Sequence, residues 1–488
     1  MSNHSAHEIA VVWFRRDLRL TDNQALLHAI QAAQFVIPLY IHDPDAEVPW
    51  QSGGASCWWL HHSLQQLDAA LRTIGSSLII RSGDSSSILR QVITETNATL
   101  VVWNRLYEPA AIERDTSIKK TLREAGIDVH SESSALLFEP WTIHTKQQTP
   151  FKVFTPFWRT CQLQLAQLPP PSAAPTHISS PADMPASLEI SDLGLLPAIQ
   201  WYTGLDHWAP GESSALQRLQ HFIDEPIANY SISRDQPAIA GTSSLSPHLH
   251  FGEIGPRQII TATNAAELTG AAYQHAEVFI KEVGWREFAY HLLYHFPHTT
   301  EHSLDKRFEN FHWQESKSLL KAWQQGRTGI PMVDAGMREL WHTGWMHNRV
   351  RMIVASFLTK NLRIHWLHGA RWFWDTLVDA DLASNTLGWQ WTAGCGADAA
   401  PFFRIFNPVL QAERFDPDGS YLRKWVPELA ALPNRWINCP WLAPETELMK
   451  ARIRLGHHYP IPIVDLASSR KLALAAYANL KSSPTPVH

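Results

Sequence analysis

Cysteine is scarce in this chain of 488 residues. Its four copies, Cys57, Cys161, Cys395 and Cys439, lie far apart with no CxxC spacing, which argues against a disulfide framework and a cysteine-built zinc site. Long apolar runs are missing too. None approaches the roughly 18 uninterrupted residues that a membrane helix needs, and the opening MSNHSAHEIA lacks the basic and apolar regions of a secretory signal. A cytoplasmic, reducing location with no membrane partner is expected. Basic residues are not in excess: 41 Lys and Arg stand against 46 Asp and Glu, a formal charge of −5. Non-specific coating of nucleic acid is thereby disfavoured, but a local patch is not, and residues 281–371 carry 13 basic against 8 acidic side chains. No GxxxxGK(S/T) loop occurs, so nucleotide hydrolysis is not indicated. GCGADA (394–399) has the outline of a dinucleotide fingerprint, yet no apolar strand leads into it. The histidines of HLLYHFPHTTEH (291–302) lack a cysteine or HExxH frame, and no metal is expected.

Tryptophan, by contrast, is abundant, with 22 residues in a chain that is 45% hydrophobic and 18% charged. Length and composition point to a well-packed globular protein of two or more domains. IAVVWF (9–14), AQFVIPLYI (33–41), SLIIRS (77–82) and ATLVVW (98–103) read as short strands. Between them, stretches such as WWLHHSLQQLDAALRTIG (58–75) repeat apolar residues near 3.6 and close on glycine. Apolar strands separated by helices imply a parallel sheet covered on both faces. The expected fold class is α/β plus all-α. A doubly wound, Rossmann-like α/β domain spans 1–135, and a connector over 136–210 includes the Pro- and Ser-rich LPPPSAAPTHISSPADMP. A larger helical domain over 211–488 follows, in which amphipathic segments such as AAYQHAEVFIKEVGWREFAYHLLYHF replace strands.

Several constellations have chemical potential. In AGTSSLSPHLHFGEI (240–254), Thr242, Ser243 and Ser244 follow a glycine and precede Ser246-Pro247, a helix-initiating N-cap pair. Hydroxyls and free N–H groups suit a phosphate there; an ordinary capped loop fits as well. VDADLASN (378–385) offers Asp379, Asp381 and Asn385, either as a solvated turn or as buried acceptors for a heterocycle or an arginine. Asn348 and Met352 stand at i,i+4, as do Trp341 and Trp345. That spacing serves core packing or a pocket for an extruded planar base. NTLGWQWTAGCGADAAPFFRIFNP (385–408) sets Trp389 and Trp391 one residue apart.

Taken together and in order, VVWFRRDLRLTDNQAL, NYSISRDQPAIAGTSSLSP, WREF, GWMHNRVRMIVASFL, DADLASNTLGWQW and FRIFNP resemble the motifs of the photolyase/cryptochrome family over essentially the whole chain. ASCWWLHHSLQQLDAAL and LVDADLASNTLGWQW narrow the likeness to bacterial cyclobutane-pyrimidine-dimer photolyases that are sisters of the plant cryptochromes. The resemblance implies FAD held by Tyr230, the run Thr242, Ser243, Ser244, Leu245 and Ser246, and by Phe279, Arg286, Trp345, Asn348, Arg351, Asp379, Asp381 and Asn385. Phe279 departs from the Trp of many relatives, and Asn385 would sit at flavin N5. A pocket for a flipped dimer would be lined by Glu282, Trp285, Asn348, Met352 and Trp391. Arg234, Arg349, Arg404 and Gln411 would contact the DNA backbone, while Trp313, Trp366 and Trp389 would pass electrons inward to the flavin. The two neighbouring tryptophans would thus serve two jobs.

The implied activity is a carbon–carbon lyase. A monomer would use blue light and electron transfer from reduced FAD to split pyrimidine dimers in UV-damaged DNA. The alternative is a cryptochrome-type blue-light receptor signalling through a protein partner. Plant cryptochromes carry Asp in place of Asn385 and Tyr in place of Trp391, and this chain has no long extension after KLALAAYANLKSSPTPVH, so repair is the favoured expectation. Repair of the (6-4) photoproduct goes with a His pair where Asn348 and Met352 stand. An antenna pigment is expected in the N-terminal domain, methenyltetrahydrofolate ahead of a deazaflavin. Ala110 and Ala111 nevertheless occupy positions that are Asn-Glu in one folate-binding group.

Overall fold

The computed structural model describes residues 6–197, 199–402 and 404–482; residues 1–5 and Phe403, within FRIFNP, lie outside them. The α/β region runs β1 (His7–Phe14), α1 (Gln24–Ala32), β2 (Ala33–His42), α2 (Gly54–Thr73), β3 (Ile79–Ser82), α3 (Ser85–Thr96), β4 (Leu100–Asn104), α4 (Pro109–Glu124) and β5 (Asp128–Glu132). Then come α5 (Phe154–Leu165), α6 (Glu212–Asp224), α7 (Tyr230–Ser233), α8 (Ser246–His250), α9 (Pro256–Ala265) and α10 (Gly270–His295). They are followed by α11 (Lys317–Gln324), α12 (Pro331–Thr343), α13 (Asn348–Ser356), α14 (Trp366–Thr376) and α15 (Leu382–Ala393). The described residues gather into two compact units: those within 1–228, 243–297 and 378–381 make the first, and those within 229–242, 298–377 and 382–488 the second.

In the first unit a parallel five-stranded sheet has the order β3-β2-β1-β4-β5, the doubly wound arrangement expected. Val11, Trp13, Ile37, Leu39, Val101, Trp103 and Val129 form a core with Leu89, Val92, Ile118 and Leu122 of α3 and α4. Trp13 and Trp103 meet edge-to-face at 5.7 Å, a geometry worth about 0.5–1.5 kcal/mol beyond burial. The segment RRDLRLTDN leaves β1 as a buried polar knot. Asn104 donates to Asp17 at 2.6 Å and to Asn23 at 2.8 Å, and Asn23 caps α1 by accepting the Leu26 N–H. Gly252 explains part of HFGEI: at φ 66° a Cβ would fall 2.1 Å from the Arg16 carbonyl oxygen. The Pro/Ser-rich stretch forms neither helix nor strand but is not idle. Val36 N–H bonds Ser179, and Ile178 and Leu188 donate to Ile74 and Ile80. The fifth strand, DVHSE, was not apparent from sequence, because its polar alternation lacks the Val/Ile signature of the others.

In the second unit α12 packs tightly on α13, where a Cβ on Gly336 would meet Val350 at 2.4 Å. One sequence expectation fails here. Gly344 (φ 64°) ends α12, so Trp341 and Trp345 share no helix face. Trp341 instead stacks on Trp372, 6.0 Å away with planes 7° apart.

Candidate functional site

The hydroxyl run falls on the entry to α8. The helix does begin at Ser246, but Leu245 is its N-cap and no side chain caps it. The expected Ser246 cap is absent because its hydroxyl donates instead to Asp379 Oδ2 at 2.6 Å. Ser244 is held at φ 51°, left-handed backbone that a residue with a Cβ occupies only at a cost.

Asp381 lies in the same unit within a compact cluster. Its Oδ2 accepts from the Tyr290 hydroxyl at 2.5 Å and lies 3.7 Å from His250 Nδ1. Burial alone would raise its pKa; His250, the Arg286 guanidinium and the Tyr290 hydroxyl outweigh that and hold the carboxyl below the usual carboxylate range. Arg286 is fixed in turn, donating to the Ala135 carbonyl at 2.7 Å and lying over the Tyr290 ring at 4.8 Å. One helical turn before Arg286 on α10, Glu282 is half-buried. The ring of Trp285 stacks on Phe154 of α5 at 3.7 Å with planes 8° apart. Phe279 is buried against Phe222 at 4.5 Å, as a core contact.

The second unit carries the tryptophans. On α15, Trp389 is buried and Trp391 half-buried; two residues apart on a helix means about 200° apart around its axis. Trp389 lies 5.0 Å from Phe373 and 6.1 Å from Trp323. Its ring occupies space left by Gly369 of α14, where a Cβ would come within 2.0 Å. Asn385, one turn earlier on the side of Trp389, donates to the Ala370 carbonyl at 3.0 Å. Trp366 is fully buried, its indole N–H meeting no acceptor among the described residues. Half-buried Trp313 lies 5.0 Å from His365, which in turn lies 5.5 Å from Trp366. Burial, followed by the neighbouring His368, pushes the His365 pKa down to about 4, so this imidazole is neutral at physiological pH.

Asn348 begins α13 exposed, with Met352 half-buried one turn on. Arg351 donates to the Met346 carbonyl at 2.7 Å and lies over Trp345 at 5.8 Å. Among the expected DNA contacts, Arg404 is exposed and Gln411 half-buried. Arg349 pairs with Asp235 at 2.7 Å, and Arg234 lies over Tyr230. Sequence reasoning missed His365, Trp323 and Phe154. Only His365 left a signal, standing directly before a tryptophan already singled out. In the first unit a cavity of about 160 Å³ opens at the C-terminal ends of β1, β2 and β4, lined by Trp13, Arg16, Tyr40, Asp43, Leu106 and Phe251 among others.

Comparison with known proteins gives this arrangement its context. A family model described as DNA photolyase matches residues 10–176, and one described as the FAD binding domain of DNA photolyase matches 279–479. The chain belongs to the photolyase/cryptochrome family. It is 49% identical to a deoxyribodipyrimidine photo-lyase of Agrobacterium fabrum, covering 97% of this chain and 98% of the other. Cryptochrome-2 of Arabidopsis thaliana is 40% identical over 97% of this chain and 79% of its own length. The crystal structure of a bacterial class III photolyase from Agrobacterium tumefaciens superposes with a TM-score of 0.94 at 47% identity, covering 99% of this chain and all of that one. The match over 279–479 supports FAD as the cofactor of a family member built, as expected, from an α/β and a helical part.

Proposed function

We propose that this protein is a photo-lyase that splits cyclobutane pyrimidine dimers in UV-damaged DNA, acting as a cytoplasmic monomer. The photolyase relatives support the coarser part of this reading, light-dependent DNA repair. The observation that carries the finer part is α15, whose Asn385 and Trp389 share one side while Trp391 takes another. One side is suited to a cofactor and its electron supply, the other to a substrate base.

The residues present fit FAD. Ser244 holds a left-handed backbone at φ 51°, and strain of this kind collects at ligand clamps. The hydroxyl run from Thr242 to Ser246 is suited to the diphosphate, with Ser246 oriented by Asp379. FAD, bound in reduced form, supplies light absorption and the transferred electron. Asp381 stays ionised to accept N–H groups, and Arg286 is held rigid beside it. Asn385, its amide oriented by the Ala370 carbonyl, would offer the flavin's N5 a partner that has no acidic proton to deliver. Trp313, Trp366 and Trp389 relay electrons inward, and a neutral His365 places no repelling charge beside an oxidised indole. Trp285, stacked on Phe154, is a preorganised platform for a base; Glu282, Asn348, Met352 and Trp391 are assigned to the dimer on the strength of the family resemblance. Arg234, Arg349, Arg404 and Gln411 are assigned to the DNA backbone. By function the chain divides into an antenna part over 1–135, a connector over 136–210 and an FAD- and DNA-binding part over 211–488.

The antenna pigment, methenyltetrahydrofolate before a deazaflavin, is assigned to the cavity above β1, β2 and β4. That cavity lies by the switch point between β1 and β4, where α/β sheets bind ligands, and the rings of Trp13, Tyr40 and Phe251 in its lining suit a flat pigment.

The test is to incubate the reduced protein with an oligonucleotide bearing one thymine cyclobutane dimer, with and without blue light, and to count restored thymines. Light-dependent restoration is expected. A flavin that is bound and photoreducible without any repair would shift the reading to a photoreceptor, consistent with the likeness to Cryptochrome-2.

A further inference from the structure

The edge strand β5 presents an unusual face. Asp128, His130 and Glu132 stand at i, i+2 and i+4 and so project to one side of the sheet. His28 of α1 meets them there: its Nδ1 lies 2.8 Å from Glu132 Oε1, and its ring is 4.6 Å from that of His130. His130 Nε2 is 3.0 Å from Asp128 Oδ1, and His7 Nε2 lies 3.6 Å from the other oxygen of that carboxylate. One ligand atom from each of His28, His130 and Glu132 falls within a common 4.8 Å, the one grouping of this kind among the described residues. The neighbouring Lys119 is occupied on the opposite side, donating to Ser131 at 2.8 Å.

We propose that His28, His130 and Glu132 form a divalent transition-metal site, with Zn2+ as the cation it suits best. Two imidazoles and one carboxylate are a borderline N/O donor set, which suits zinc and leaves a fourth position for water. Zinc ligands about 2.0–2.1 Å from the metal lie about 3.3 Å from one another, so closure calls for small rotations only. The side chains of His28 and Glu132 are 30% exposed and that of His130 40%, leaving them free to rotate and open to an arriving ion. Asp128, bonded to His130, is the outer carboxylate that fixes ring orientation at metal-bound histidines. The site lies on the α/β sheet, uses no residue assigned to flavin or DNA, and does not depend on the repair reading.

The experiment uses the full-length, FAD-loaded protein stripped with a chelator. Zn2+ is titrated by calorimetry, and bound metal is measured after dialysis. Because 26 histidines provide weak background sites, the readout is one tighter equivalent that the wild type has and the variants lack. His130→Ala and His28→Ala are expected to weaken that equivalent by about tenfold or more, and zinc is expected to raise the melting temperature of the wild type alone. Flavin content and circular dichroism check that the variants are folded, and Glu132→Gln, which keeps the side chain's size, serves where an alanine variant is not. Titrations that are the same in wild type and folded variants, or a wild type without the tighter equivalent, overturn the proposal.

Discussion

At the scale of single residues, Trp389 and Glu339 make the most direct predictions. If Trp389 is the inner electron donor, Trp389→Phe should slow photoreduction of oxidised flavin by at least about tenfold, a barrier increase of about 1.4 kcal/mol. Repair by chemically reduced enzyme should stay near wild type; equal loss of both would mark the ring as structural. Asn385→Asp should shift the photoreduced flavin spectrum toward the protonated form and lower repair, and an unchanged spectrum would count against the role given to Asn385. Glu339 is a buried carboxyl whose burial raises its pKa from 4.5 to about 7, against hydrogen bonds from the Tyr421 hydroxyl at 2.7 Å and the His347 N–H. In the folded state it holds a proton that the unfolded chain has already released. Its contribution to stability is therefore complete below about pH 4.5 and lost as pH rises to about 7, at roughly 1.4 kcal/mol per unit. His347, pushed down to about 4 by burial, acts in the opposite sense. Comparing melting temperatures of Glu339→Gln and wild type from pH 5 to 8 isolates the Glu339 part; parallel curves would mean it does not titrate in this window.

At the scale of elements, fit between neighbouring helices sets the geometry of the reactive rings. α14 presents Gly369 where the Trp389 ring must lie, so Gly369→Ala should cost about 1–3 kcal/mol through overpacking. The same change should impair photoreduction by displacing that ring. A variant with unchanged melting temperature and photoreduction would show that the helices have slack. The family resemblance gave the tryptophans of GWQW two separate jobs, and the helix α15 turns them to different sides, as 3.6-residue periodicity does for positions two apart. The stacking of Phe154 on Trp285 was not legible, since residues 131 positions apart meet only through the packing of α5 on α10.

At the scale of the whole molecule, the net charge of −5 leaves DNA binding to local cations. Arg349 is already paired with Asp235, whereas Arg404 is exposed. Arg404→Ala should weaken binding to dimer-containing DNA and lower the slope of log affinity against log salt by about 1. A slope equal to wild type would remove Arg404 from the phosphate contacts.

The sequence by itself determined the fold class, the family and the identity of the flavin and electron-transfer candidates. Strand and helix periodicities are local properties, and the motifs stand in order along one chain. It also determined four of the five strands, whose Val- and Ile-rich runs follow from burial on both sheet faces. Only the tertiary structure decided the rest. β5 shows itself through its pairing with β4, because its own residues are polar. Ser246 gives up the capping role its neighbour Pro247 suggested, because Asp379, 133 positions away, claims its hydroxyl. His28, His130 and Glu132 are likewise separate letters until α1 packs on β5. Contacts between residues far apart in sequence leave no periodic trace, and each of these outcomes depends on one.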